Sequence, residues 1–190
     1  MTKRLTEQDY VDAASILGVE LAAVKAVCEV ESRGSGFLPS GEPVILFERH
    51  WMYRLLSRKG IKPPVNSQVA MMKSGGYLGG AREHHRLAEA VKLDRDSALQ
   101  SCSWGLMQIM GFHWEGLGYP SLQAFINAMY RDEASQLDAF VRFIKKDKRM
   151  HNALKTKNWI LFATAYNGPS FAKNSYDTKM AAAYKKYSGK

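Results

Sequence analysis

The chain has 190 residues, 46% hydrophobic and 24% charged, with 27 Lys and Arg against 18 Asp and Glu for a formal net charge of +9. That composition excludes a disordered or low-complexity protein and suits one well-packed domain. No apolar run approaches the ~20 residues of a membrane span, and the basic balance asks for a polyanionic partner: nucleic acid, anionic lipid or cell-wall polymer.

The first residues, Met1-Thr2-Lys3-Arg4-Leu5, hold no hydrophobic segment of the secretory kind, so the protein is expected to stay at first in a cytoplasm. Thr6 and Asp9 have the spacing of a capping box and open a helix that turns Tyr10, Ala13, Ala14 and Leu17 inward, with Gly18 as its stop. A second helix follows at once and ends near Arg33-Gly34. Leu21, Val24, Val27 and Cys28 share one of its faces, and the next position on that face is Glu31. Glu29 lies roughly 160° around the helix at ~3.6 residues per turn, where Lys25 can pair with it. A carboxylate aimed at a core is costly unless protonated or partnered. Burial and the negative end of the helix dipole both favour the protonated form, which is what a general acid needs. The same two helices have a rival reading as a DNA-binding helix-turn-helix, from the spacing of Ala14, Gly18 and Val24. Against it, the second helix starts Glu20-Leu21-Ala22-Ala23, with few side chains able to reach base edges.

Beyond the loop Gly34–Gly41, residues 43–51 read as a short strand passing into a helix. They contain Glu48, a second carboxylate of interest, whose plain role would be an ion pair with Arg49 or a nearby lysine. Residues 57–80 form a glycine-rich connection, followed by a helix over 81–92 with Leu87 and Val91 inward. Asp94 caps a short helix through Leu99, and Ser101–Gly111 is expected to be another short helix closed by Gly111. Pro120-Ser121 opens the longest helical region, with Leu122, Phe125, Ile126, Met129, Leu137, Phe140, Val141 and Ile144 buried and a break near Asp132. Trp159, Phe162, Ala163 and Tyr166 make a further stripe. The tail from Ser175 is amphipathic, with tyrosines and Met180 opposite Lys179, Lys185 and Lys186. Strand signal is thin, so the expected class is mainly α with little or short β. Cys28 and Cys102 are too few for a disulfide framework or a zinc site. The five histidines show no metal-ligand spacing, so no metal or cofactor is expected.

Three segments stand in order: Glu31-Ser32 closing a helix, Gly105-Leu106-Met107-Gln108, and Ala165-Tyr166-Asn167-Gly168 closing another helix. They resemble the catalytic core of the lysozyme superfamily, goose-type lysozymes and soluble lytic transglycosylases in particular. Glu29-Val30-Glu31-Ser32-Arg33-Gly34-Ser35-Gly36-Phe37-Leu38-Pro39, with Ile45-Leu46-Phe47-Glu48-Arg49-His50, is similar to phage endolysins of the N-acetylmuramidase family. The resemblance runs from about Thr6 to Tyr187. It implies a lysozyme-like single domain over 1–190 with a substrate cleft and no separate wall-binding module. It also implies that Glu31 protonates the glycosidic oxygen between N-acetylmuramic acid and N-acetylglucosamine. Ser103, Met107 and Gln108 would lie against the sugar, Tyr166 would hydrogen-bond the catalytic carboxyl, and Asn167 would reach substrate. Pro169 departs from the pattern, which usually continues with glycine or another small residue.

Glycoside hydrolysis passes through an oxocarbenium-like state, so one carboxylic acid must protonate the leaving group while a second activates water or attacks the sugar. Glu48 is the candidate for the second role. A lytic transglycosylase needs none, because the muramic acid's own hydroxyl closes an anhydro ring. The resemblance further implies a monomer acting on peptidoglycan glycan strands rather than on nucleic acid. It would be held in the host cytoplasm before lysis and then act on the wall, and its basic tail could meet an anionic outer membrane.

Overall fold

The computed structural model describes residues 3–32, 34–64, 67–168 and 175–189, with only the backbone of Asn167. Pro169 and Arg33 lie outside the described residues. The first helix, α1 (Glu7–Leu17), is opened as its sequence requires: the Asp9 carboxylate accepts from the Thr6 amide at 2.7 Å. Gly18 ends it at φ +61°, in the left-handed region glycine tolerates. Next comes α2 (Leu21–Glu31), which buries Ala22, Ala23, Val24, Ala26, Val27 and Cys28 and leaves only Glu29 exposed. Small side chains on nearly every face let other helices approach α2 closely, so it runs through the molecule rather than over it.

A three-stranded antiparallel sheet follows, built from β1 (Ile45–Phe47), β2 (Cys102–Trp104) and β3 (Ile109–Met110) in the order β1-β2-β3. Ile45 lies opposite Trp104, Leu46 opposite Ser103 and Phe47 opposite Cys102, while Ser103 also faces Met110. The helix expected over Ser101–Gly111 is therefore wrong. Gly105 at φ +69° and Gln108 at φ +51° are both left-handed, and two such residues within four close a turn and cannot continue a right-handed helix. The Gly105 amide donates to Val44 O at 2.8 Å, tying the turn to β1.

The remaining helices are α3 (Arg49–Arg58), α4 (Ala81–Val91), α5 (Arg95–Gln100), α6 (Leu122–Arg131), α7 (Glu133–Lys146), α8 (Lys148–Lys155), α9 (Trp159–Asn167) and α10 (Tyr176–Ser188). Asp94 accepts from Ser97 N at 2.8 Å and Asp132 from Ser135 N at 2.7 Å, so the cap of α5 and the α6–α7 break fall where the carboxylates put them. Trp104, Phe47, Phe125, Phe140 and Phe162 fill the core. α10 packs along α2 and α9, burying Met180 and Ala183. Its Lys186 Nζ, 2.7 Å away, and the Tyr187 hydroxyl both donate to Glu29 Oε2. Lys25, expected beside Glu29, pairs instead with Glu7 at 2.6 Å. With α1 and α10 packed against it, α2 is covered along most of its length, which argues against the helix-turn-helix reading.

Candidate active site

A cleft of about 320 Å³ opens at the C-terminal end of α2, lined by Glu31, Met107, Gln108, His113, Phe143 and Tyr166 among others. A second hollow, of about 500 Å³, lies on another flank of α2, but its carboxylates, Glu7 and Glu29, already face Lys25 and Lys186. The first, where Glu31 shares a wall with Gln108 and Tyr166, is the candidate site.

Glu31 is the last residue of α2 and half-buried, with the Ser32 amide closing the helix on Cys28 O at 2.9 Å. Its negative charge reaches two neighbours. Burial first, and then that charge, pushes the Cys28 thiol up to about 12 and the Tyr166 phenol well above its ordinary value. The Tyr166 hydroxyl donates to the Met107 carbonyl at 2.9 Å. Phe140 and Phe143 meet the Tyr166 ring edge-on, at 5.4 and 5.9 Å between centroids, and hold it at the cleft wall. His113 shares the cleft. Burial, helped by Lys146, pushes its imidazole down to about 4, so it is neutral at neutral pH.

The turn of residues 105–108 forms another wall. Gln108 Oε1 accepts from Ser103 Oγ at 2.9 Å, and Gln108 Nε2 donates to Gly105 O at 2.8 Å. Ser103 is thus buried behind Gln108, and the glutamine amide closes the turn that carries Met107. Two residues on α7, not anticipated from the sequence, anchor this frame. Gln136 Oε1 accepts from Leu106 N at 2.7 Å, and Glu133 Oε1 accepts from Gly36 N at 2.8 Å. Both side chains are almost fully buried. A Cβ on Gly36 or Gly105 would run into Gln136, so glycine at both places lets the loop after Glu31 and the 105–108 turn close on one helix. Glu133 and Gln136 sit on the apolar face of α7 much as Glu31 sits on that of α2, and the same pattern could have found them.

Glu48 is not among the residues lining the Glu31 cleft. Its Oε1 accepts from Tyr77 OH at 2.8 Å and its Oε2 lies 3.1 Å from His50 Nδ1, while Arg49, the expected partner, donates to Gly75 O at 2.9 Å. The sheet register still relates it to the cleft. Leu46, Ser103 and Met110 stand in one cross-strand row, and Met110 lines the cleft. Glu48 follows Leu46 by two extended residues, so it belongs to the same sheet face, roughly 7 Å further along. The side chain of Asn167 lies outside the described residues. Among the described residues no group of three or more His, Cys, Asp or Glu is placed to hold a metal ion, and Cys28 and Cys102 are both free thiols in the core.

The family model described as N-acetylmuramidase matches residues 20–188. The crystal structure of a Burkholderia AP3 phage endolysin superposes with a TM-score of 0.96 at 50% sequence identity, covering 100% of this chain and 72% of that one. No curated protein matches the chain.

Proposed function

Because the chain belongs to the N-acetylmuramidase family, we propose that it is a phage endolysin that degrades peptidoglycan, with Glu31 as the general acid. The bond cut is the β-1,4 link from N-acetylmuramic acid to N-acetylglucosamine. The observation that carries this reading is the placement of Glu31, where a buried helix ends in a sugar-sized cleft faced by Tyr166 and the 105–108 turn. A leaving sugar oxygen needs a proton as the oxocarbenium-like state develops. Among the described residues lining the cleft, His113 is neutral at neutral pH, Tyr166 holds its proton tightly, and Glu31 is the one that carries a carboxyl group. Glu31 is therefore taken as the donor. It closes α2 at the cleft and shares the lining with Phe143 and Tyr166.

Glu48, on the same sheet face, is proposed as the carboxylate that activates water. A specific observation favours a second reading: Glu48 does not line the cleft with Glu31 and is engaged by Tyr77 and His50. That arrangement suits a lytic transglycosylase, in which the muramic acid's own hydroxyl attacks. Mass analysis of fragments released from purified walls separates the two. Reducing ends support the hydrolase and 1,6-anhydro ends the transglycosylase, while a Glu31→Gln protein that still clears walls would overturn both.

The net charge of +9 would concentrate the protein on the anionic wall. Any contact of the C-terminal helix with an anionic outer membrane would rest on its lysines, since Met180 and Ala183 are docked inside.

A further inference from the structure

Trp51, at the start of α3, and Phe112, just after β3, stand apart from the core. Their rings lie 4.4 Å apart between centroids and both are half-buried. Neither belongs to the buried core or to the layer of half-buried side chains packed against it. Large, partly open aromatic surfaces outside the core are where proteins bind things.

The pair is also not isolated. Phe112 is 4.4 Å from His113, His113 is 5.0 Å from Phe143, and Phe143 is 5.9 Å from Tyr166, all between ring centroids. His113, Phe143 and Tyr166 are walls of the Glu31 cleft. A continuous row of rings therefore leads from Glu31 out to Trp51. The Arg54 guanidinium lies 5.2 Å from the centre of the Trp51 ring and the His50 ring 5.8 Å from it, which steadies the indole and puts a cation beside the row.

We propose that Phe143, His113, Phe112 and Trp51 form a saccharide track that extends the cleft and binds units of the glycan strand beyond the bond being cut. This inference rests on the reading of the protein as a glycan-strand-cleaving enzyme. The occupant follows from continuity. A ligand seated beside Glu31 and long enough to run on along the rings is the polymer itself. A pyranose ring has apolar C–H faces and a polar hydroxyl rim, so it packs flat on an aromatic side chain while its hydroxyls stay in water. A carboxylate on the strand would meet Arg54. Contacts this far from the scissile bond are the same before and in the transition state, so the track tightens binding of long strands more than it speeds the chemical step.

The test is calorimetric and does not depend on cleavage. In a Glu31→Gln background, glycan strands stripped of stem peptides are titrated at two lengths, long strands and a tetrasaccharide. The long strands are expected to bind more tightly. Trp51→Ala should cut that advantage by about tenfold, the order contributed by an aromatic anchor at an interface. Trp51→Phe, which keeps a ring, should retain most of it. The track is wrong if long strands bind no better than the tetrasaccharide, if Trp51→Ala keeps the full advantage, or if Trp51→Phe falls as far as Trp51→Ala. Failure of the muramidase reading would show separately, as a wild-type protein that creates no new chain ends in walls.

Discussion

On one face of the sheet Ile45, Phe47, Cys102 and Trp104 are at most 3% exposed; on the other, Leu46 and Met110 are partly exposed on either side of the buried Ser103, and Glu48 follows Leu46 along that face. These residues alternate along the same short strands, so one pleat serves both tasks. The sealed side anchors the sheet in the core. The open side is a floor on which a flat, partly apolar ligand can lie, with Glu31 at one place on its rim.

The contrast can be broken from either side. The largest loss of stability is expected on the sealed face: Phe47→Ala should cost about 3–5 kcal/mol, because the cavity it leaves is enclosed. Leu46→Ala, the neighbouring residue on the open face, should cost under ~1 kcal/mol and act mainly on KM. Urea denaturation with parallel turnover assays checks both, and equal destabilisation would mean that the open face is packed after all.

A smaller effect, and one that joins the two sides, is expected at Gln136. Gln136→Leu strands the buried Leu106 amide, at about 1–3 kcal/mol, and frees the turn that carries Met107. Activity should fall more than stability explains, as turnover measured well below the melting temperature would show.

The smallest effect concerns pH. His113 has its pKa lowered from 6.5 to about 4 in the folded protein. Between those values the unfolded chain binds a proton that the native state refuses, so this group's stabilising contribution is complete above pH 6.5 and is lost as pH falls towards 4. Melting temperatures of His113→Phe should depend less steeply on pH across that window than those of the wild type.

Local signals made much of the fold legible. Thr6 with Asp9, Gly18, Asp94, Ser121 and Asp132 mark helix ends by chemistry that acts within three or four residues, and the ends lie there. β2 and β3 were not legible, because Ser103-Trp104-Gly105-Leu106-Met107 is a short apolar run whose period fits helix or strand alike. Its conformation is decided by pairing with β1, nearly sixty residues earlier in the chain. The Lys25–Glu29 pair failed for a similar reason: Lys186 and Tyr187 arrive from the far end of the chain to occupy Glu29. Glu31 could be singled out as a candidate because it interrupts an apolar stripe. Trp51 and Phe112 could not, since nothing in their spacing says that two elements will bring them face to face.

The claim on which the account turns is that Glu31 delivers the proton. Purified glycan strands, incubated with wild type and with Glu31→Gln, can be followed by the rate at which new chain ends appear. The account predicts a rate ~10²–10⁴-fold lower for Glu31→Gln, with an unchanged circular dichroism spectrum and with strands still bound. New ends forming at close to the wild-type rate would contradict it.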